Sequence, residues 1–249
     1  MSQRDPWLAS YRPCAAGKIR LICFPYAGGS AGVFRNWTAL LPETIEVCPV
    51  EFPGRGRRFS EPLARNPELL IGNLLMALQP ALGDPYALFG HSLGAALAYE
   101  IAQRQTLNGG LPPKHLFVSG QRAPHRPDPK PPLHLLPEDE FLQELRRLGG
   151  TPPQVFDDPE LLALFIPLLR ADFQLGETFS YSPNTPLSCP LSVLGGLRDP
   201  EISREDIDSW WRYTTDEFRV RFFDGDHFFL HSHERAVTAA IAEDLNSFT

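Results

Sequence analysis

A short apolar run, Tyr86 to Phe89, passes directly through Gly90-His91-Ser92-Leu93-Gly94 into an Ala-rich stretch of helical spacing, Leu93 to Gln105. A serine flanked by glycines two residues before and two after suits a tight strand-to-helix turn, where a side chain at either flanking position would collide with the backbone. By composition alone the Gly-x-Ser-x-Gly pattern arises in roughly one chain in ten of this length. Its position at a strand-helix junction is what gives it weight. The plain structural alternative is a serine that merely caps the helix.

Around that turn the chain alternates strand and helix, the mark of a mostly parallel sheet covered by helices. Ile19 to Phe24 reads as a buried strand ending in Pro25-Tyr26-Ala27-Gly28-Gly29, with Ser30 able to cap a helix running to about Leu41. Ile45 to Phe52 is a second strand, ending in Pro53-Gly54-Arg55-Gly56 and followed by a helix from about Pro67 to Leu82. Tyr86 to Gly90 and Lys114 to Ser119 are the third and fourth. The rhythm stops from about Gln121 to Pro190, where prolines are frequent and two amphipathic helices are expected, Glu138 to Leu148 and Pro159 to Phe173. Gly149-Gly150 should stop the first, and Pro167 should kink the second. This stretch reads as a helical insertion, either a lid or two ordinary core helices. Strands then return at Leu191 to Leu194 and Arg219 to Phe223, and Glu234 to Leu245 closes the chain. One α/β domain spans residues 1–249, a size at which a single core is normal.

The net charge of −7 disfavours a nucleic-acid partner, because phosphate contacts need a basic face. Cys14, Cys23, Cys48 and Cys189 show no CxxC spacing and no neighbouring histidine pattern, so no metal site is expected, and Cys23 and Cys48, inside apolar runs, read as buried free thiols. No signal peptide and no apolar run of membrane-spanning length is visible, which points to a cytoplasmic protein. Nothing demands more than a monomer.

A serine hydroxyl attacks only when a histidine takes its proton, and an acid must orient that histidine. In the α/β-hydrolase fold the chain order is serine, acid, histidine. His91, His115, His125 and His134 come too early for that order. Of the remaining three, His227 directly follows a strand, in Phe223-Asp224-Gly225-Asp226-His227, and His231 is held in reserve. Asp199 follows the preceding strand, in Gly195-Gly196-Leu197-Arg198-Asp199-Pro200, and Asp224 and Asp226 are its rivals. The oxyanion donors are expected from the backbone of Leu93 and of Ala27 or Tyr26. Gly28-Gly29 could also be read as a phosphate loop, but it lacks both GxGxxG and the Walker lysine.

These phrases resemble the type II thioesterases that accompany polyketide and nonribosomal peptide synthetases. The resemblance covers nearly the whole chain: Cys23 to Ala31, Pro53 to Arg58, Gly90 to Gly94, Leu145 to Pro152, Leu194 to Gly196 with Asp199-Pro200, and Gly225 to Phe229. It implies an α/β-hydrolase fold with a helical lid at about 121–190. It also implies hydrolysis of acyl thioesters on the phosphopantetheine arm of acyl or peptidyl carrier domains, with no cofactor of the enzyme's own. Carried onto this sequence, Ser92 would be acylated, His227 would be base and then acid, Asp199 would orient it, and Ala27 with Leu93 would form the oxyanion hole. Tyr26 stands where many relatives have histidine, a change that could alter pocket polarity. Arg55, with Arg57 and Arg58, is expected to face the carrier or the phosphate of its arm, unless this is simply a solvated basic loop. Phe141 and Phe165, with Leu145 and Leu169, are expected to shape the acyl pocket, unless they are core. The start at Met1 with no upstream carrier domain suits a free-standing protein better than a domain excised from a synthetase. Other readings remain: a carboxylesterase, lipase or acyltransferase with the same triad, or a hydrolase-fold binding protein without catalysis.

Overall fold

The computed structural model describes residues 6–8, 17–181 and 185–248; Cys14 lies outside them. Six strands form one sheet, β1 (Ile19–Phe24), β2 (Ile45–Pro49), β3 (Tyr86–His91), β4 (Leu116–Ser119), β5 (Leu191–Gly196) and β6 (Phe218–Phe223). They lie in the order β2-β1-β3-β4-β5-β6, and every neighbouring pair is parallel. The expected mostly parallel sheet is therefore present. The helices are α1 (Trp37–Leu40), α2 (Pro67–Leu82), α3 (Leu93–Leu107), α4 (Glu138–Leu148), α5 (Pro153–Asp157), α6 (Pro159–Glu177), α7 (Arg204–Asp208), α8 (Phe229–Ser232) and α9 (Glu234–Leu245).

A strand covered on both faces must be apolar at consecutive positions, and β1, β3 and β4 are buried at every residue. Alternate side chains enter opposite layers. Ile22, Leu88 and Val118 pack with Leu74, Leu78 and Leu97 of α2 and α3, whereas Leu21, Phe89 and Phe117 pack with Val237, Ile241 and Leu245 of α9. Each such aliphatic side chain contributes about 1.5–3 kcal/mol by its burial. The alanines of α3 are small enough to let that helix be buried from Leu93 to Gln103.

Several elements depart from the sequence reading, and β2 ends at Pro49 rather than Phe52. The helix expected from Ser30 to Leu41 is broken into a 3-10 turn, Ala31–Phe34, and the single turn α1. Ser30 does cap the first piece, its Oγ accepting from the Gly32 N–H at 3.2 Å. The break lets Phe34 and Trp37 both reach Phe89, at ring separations of 5.9 and 4.8 Å, so tertiary aromatic packing overrides a continuous helix. Helix α6 runs on to Glu177, past Phe173 and through Pro167.

The chain between β4 and β5 folds α4, α5 and α6 around a small cluster of its own, Phe141, Leu145 and Leu169, with Phe165 and Phe173 packed on it. Gly149 ends α4 in the left-handed region, φ 76°, its N–H donating to Leu145 O. Among the described residues, no helix is long and apolar enough to cross a membrane. Strand order reverses between β1 and β3, so the loops leaving their carboxyl ends diverge at a crevice, where open α/β sheets usually place a ligand.

Candidate active site

Ser92 occupies the turn from β3 to α3 with φ 52° and ψ −119°, and it is the one non-glycine residue in the left-handed region among those described. Such backbone costs on the order of 1–3 kcal/mol and persists only where surroundings enforce it. Here the Ser92 N–H donates to Ser119 O at 2.8 Å, and Ser92 O accepts from the Ala95 and Ala96 N–H groups. The two flanking glycines are mandatory. A Cβ at Gly90 would lie 2.1 Å from Gly94 O, and one at Gly94 would lie 2.1 Å from Phe24 O.

The loop after β5 carries Asp199 and the loop after β6 carries His227. Asp199 Oδ1 accepts from the N–H groups of Glu201 and Ile202 at 2.8 and 3.2 Å, which turns Oδ2 toward His227 Nδ1, 2.7 Å away. With Nδ1–H given to the carboxylate, Nε2 is left as the basic nitrogen. Both groups are shielded, with side-chain exposures of 10% for His227 and 1% for Asp199. The rivals are accounted for otherwise. Asp224 is exposed and paired with Arg198, Asp226 Oδ1 accepts from the Phe228 N–H, and His231 Nε2 shares a 2.7 Å hydrogen bond with the Tyr26 hydroxyl.

Ser92 and His227 line one cavity of about 490 Å³ at the carboxyl edge of the sheet, together with Tyr26, Ala27, Leu93 and Phe228. No hydrogen bond joins Ser92 to the imidazole in this structure, and such bonds are often long before substrate binds. Among the described residues, the N–H groups of Ala27 and Leu93 have no hydrogen-bond partner, and both residues face this cavity. A larger cavity of about 630 Å³ opens at the amino edge of the strands, among Pro85, Lys114, Pro190 and Glu217, and holds none of these groups.

A strained serine, an imidazole held by a buried carboxylate and two unpaired amides around one cavity are suited to acyl transfer. A thioesterase-domain family model matches residues 19–249. The chain belongs to the thioesterase family.

Its relatives include the Linear gramicidin dehydrogenase LgrE of Brevibacillus parabrevis, 42% identical over 245 residues, covering 97% of this chain and 93% of the relative. The Gramicidin S biosynthesis protein GrsT of Aneurinibacillus migulanus is 38% identical over 231 residues, covering 93% of this chain and 90% of the relative. Among solved structures, the type II thioesterase BorB from the borrelidin biosynthetic cluster superposes with a TM-score of 0.87 at 37% identity, covering 98% of this chain and all of BorB. The turn after β1 lacks the dinucleotide fingerprint, and its Gly28 N–H is already given to Asp172 Oδ2 at 2.7 Å.

Of the expected substrate contacts, Tyr26 lines the cavity of this thioesterase, but Arg55, Phe141 and Phe165 do not. Arg55 is 5% exposed and turned inward onto Asp172, with its two terminal nitrogens 2.5 and 2.7 Å from the two carboxylate oxygens. A guanidinium so buried and paired is turned away from a phosphate at the surface. Arg57 donates to Leu8 O, and Arg58 pairs with Glu61 at 2.6 Å over the Trp7 ring. Arg55 and Arg58 are thus internal clamps, while Arg57 stays exposed. Phe141 is completely buried against Leu145 and Leu169, and Phe165 packs on that same cluster. The cavity-facing aromatics of this region include Phe173, Phe179 and Tyr181. Helix α6 is two-sided, with Leu169 and Phe165 packed on the cluster of Phe141 and Leu145 while Asp172, Phe173 and Gly176 face the cavity.

His91 is the residue that sequence reasoning set aside and the structure brings back. Its buried ring lies 5.1 Å from that of His227, with Nδ1 2.8 Å from Ser119 Oγ. Burial above all, and then the neighbouring imidazoles of His227 and His231, hold its pKa well below the ordinary histidine value. It is a neutral wall behind His227. Its only signal in the sequence was adjacency to Ser92.

Proposed function

We propose that this protein is a type II thioesterase that hydrolyses acyl groups from the phosphopantetheine arm of a carrier domain in a nonribosomal peptide or polyketide synthetase. Ser92 Oγ attacks the thioester carbonyl carbon while His227 Nε2 takes its proton. The resulting oxyanion is held by the N–H groups of Ala27 and Leu93, with the amino end of α3 adding a favourable dipole. Collapse breaks the C–S bond, and the arm leaves as a thiol with the proton from His227. Water then attacks the acyl-serine ester, deprotonated by the same imidazole, and releases a carboxylic acid and free Ser92. Asp199 orients His227 and stabilises its cation in both halves.

The observation that carries this reading is the 2.7 Å contact of Asp199 with His227, whose ring lines the cavity that also holds Ser92. The choice of leaving group rests on the relatives. The likeness to LgrE and GrsT runs over 93% and 90% of their lengths, which supports a role beside a synthetase. A protein in that role works in the cytoplasm.

Comparing kcat/KM for one acyl group presented on a phosphopantetheinylated carrier and as a p-nitrophenyl ester tests the reading. We expect the carrier thioester to be preferred. A preference for the oxygen ester would assign the chain to general esterase chemistry instead.

A further inference from the structure

Three residues of α6, Leu169, Asp172 and Gly176, follow one another at three- and four-residue spacing and so share one face of the helix. That face abuts both segments that supply the oxyanion donors. Gly28 lies so close that a Cβ there would be 2.6 Å from Leu169 Cδ2, and its φ of 82° also requires glycine. Asp172 accepts from the Gly28 N–H at 2.7 Å. Gly176 leaves room beside Leu93, whose Cδ1 would be 3.7 Å from a Cβ on that glycine.

The turn is held at successive peptide units. The plane that carries the Ala27 N–H also carries Tyr26 O, which accepts from the Gly29 N–H at 2.9 Å. The Gly29 carbonyl in turn accepts from Arg55 at 3.2 Å, and the Gly28 N–H is fixed by Asp172. Arg55 and Asp172, gripping each other through two hydrogen bonds, therefore hold the turn at both a donor and an acceptor. A pair this deeply buried is a poor source of stability, since well-packed apolar side chains often serve as well, and Arg55 Nε lacks a partner. What the pair supplies is geometry.

We propose that Asp172, acting with Arg55, is a positioning residue for the oxyanion hole, so that helix α6 of the β4–β5 insertion sets where the Ala27 N–H points. This rests on the assignment of Ala27 and Leu93 as oxyanion donors. The insertion is then part of the catalytic frame as well as a cover over the acyl cavity.

The test replaces the pair by apolar residues of similar volume, Arg55→Met with Asp172→Leu, which avoids a buried unpaired charge. For hydrolysis of an acyl-carrier thioester we expect unchanged melting, KM within about twofold and kcat lower on the order of 10- to 100-fold. A trifluoromethyl ketone analogue, whose hemiketal oxygen occupies the oxyanion hole, should bind more weakly by a similar factor. A non-hydrolysable thioether analogue, which places no anion there, should bind as before. Should the double variant fail to fold, Arg55→Lys decides, since it keeps the charge but loses the two-pronged grip: reduced kcat at unchanged KM and melting supports the proposal. Wild-type kcat in a folded double variant, or in Arg55→Lys where only that folds, overturns it. A wild-type enzyme without carrier thioesterase activity would strike the proposed function itself and take this inference with it, whereas an active wild type with an unimpaired variant strikes the inference alone.

Discussion

Gly196 and Asp226 are packed so tightly that a Cβ on the glycine would lie 2.4 Å from the aspartate's carbonyl oxygen. Gly196 ends β5 just before the loop of Asp199, and Asp226 immediately precedes His227. The absent side chain is what lets the acid loop and the histidine loop lie side by side.

Gly196→Ala is therefore expected to push the histidine loop off its acid. The obstacle is backbone rather than a flexible side-chain end, so the neighbour must move. We expect kcat to fall at least tenfold, with a stability loss of about 1–3 kcal/mol. Steady-state kinetics and urea unfolding of the one variant check both numbers.

Phe141 and Phe173 separate packing from specificity in the insertion. Phe141→Ala empties a fully buried site and is expected to cost about 3–5 kcal/mol while leaving acyl preference unchanged. Phe173→Ala enlarges the catalytic cavity and should shift preference toward bulkier acyl groups. A panel of acyl-carrier substrates of increasing size, run beside thermal melts, distinguishes the two.

His115 gives stability an acid limb. Its buried imidazole, 2.8 Å from Ser192 Oγ, has its pKa pushed down to about 4, first by burial and against the pull of Asp244. A histidine depressed in the folded state binds its proton first in the unfolded chain. Its stabilisation is thus complete above the unfolded value of about 6.5 and is lost as pH falls toward about 4. Between pH 6.5 and pH 5 this group should remove about 2 kcal/mol of unfolding free energy. Urea titrations at both pH values should show a smaller difference in His115→Gln than in the wild type.

How much of this was legible beforehand follows from what each feature depends on. Strands β1, β3 and β4 were readable because burial on both faces demands nearly continuous apolar runs, and the start and stop of α4 followed from a helical stripe ended by Gly149. Ser92, Asp199 and His227 were each found at a strand's carboxyl end, a position fixed by local sequence. Arg55 and the aromatic rings of the insertion were not placed by the sequence because their partners are distant along the chain. Arg55 is spoken for by Asp172, 117 residues away, and nothing near either residue announces the pair. Likewise, the orientation of α6 depends on what covers each of its faces, which an apolar stripe alone does not specify. His91 was passed over because chain order excludes it as the base, although its place beside Ser92 makes it a wall of the site.

The most direct measurement is the intact mass of an acyl-loaded carrier protein after incubation with the wild-type enzyme and with Ser92→Ala. The wild type should remove the acyl mass and leave the phosphopantetheine arm as a free thiol, while Ser92→Ala leaves the acyl carrier intact. Retention of the acyl mass with both proteins, or its loss with both, would contradict a serine-dependent thioesterase built on Ser92.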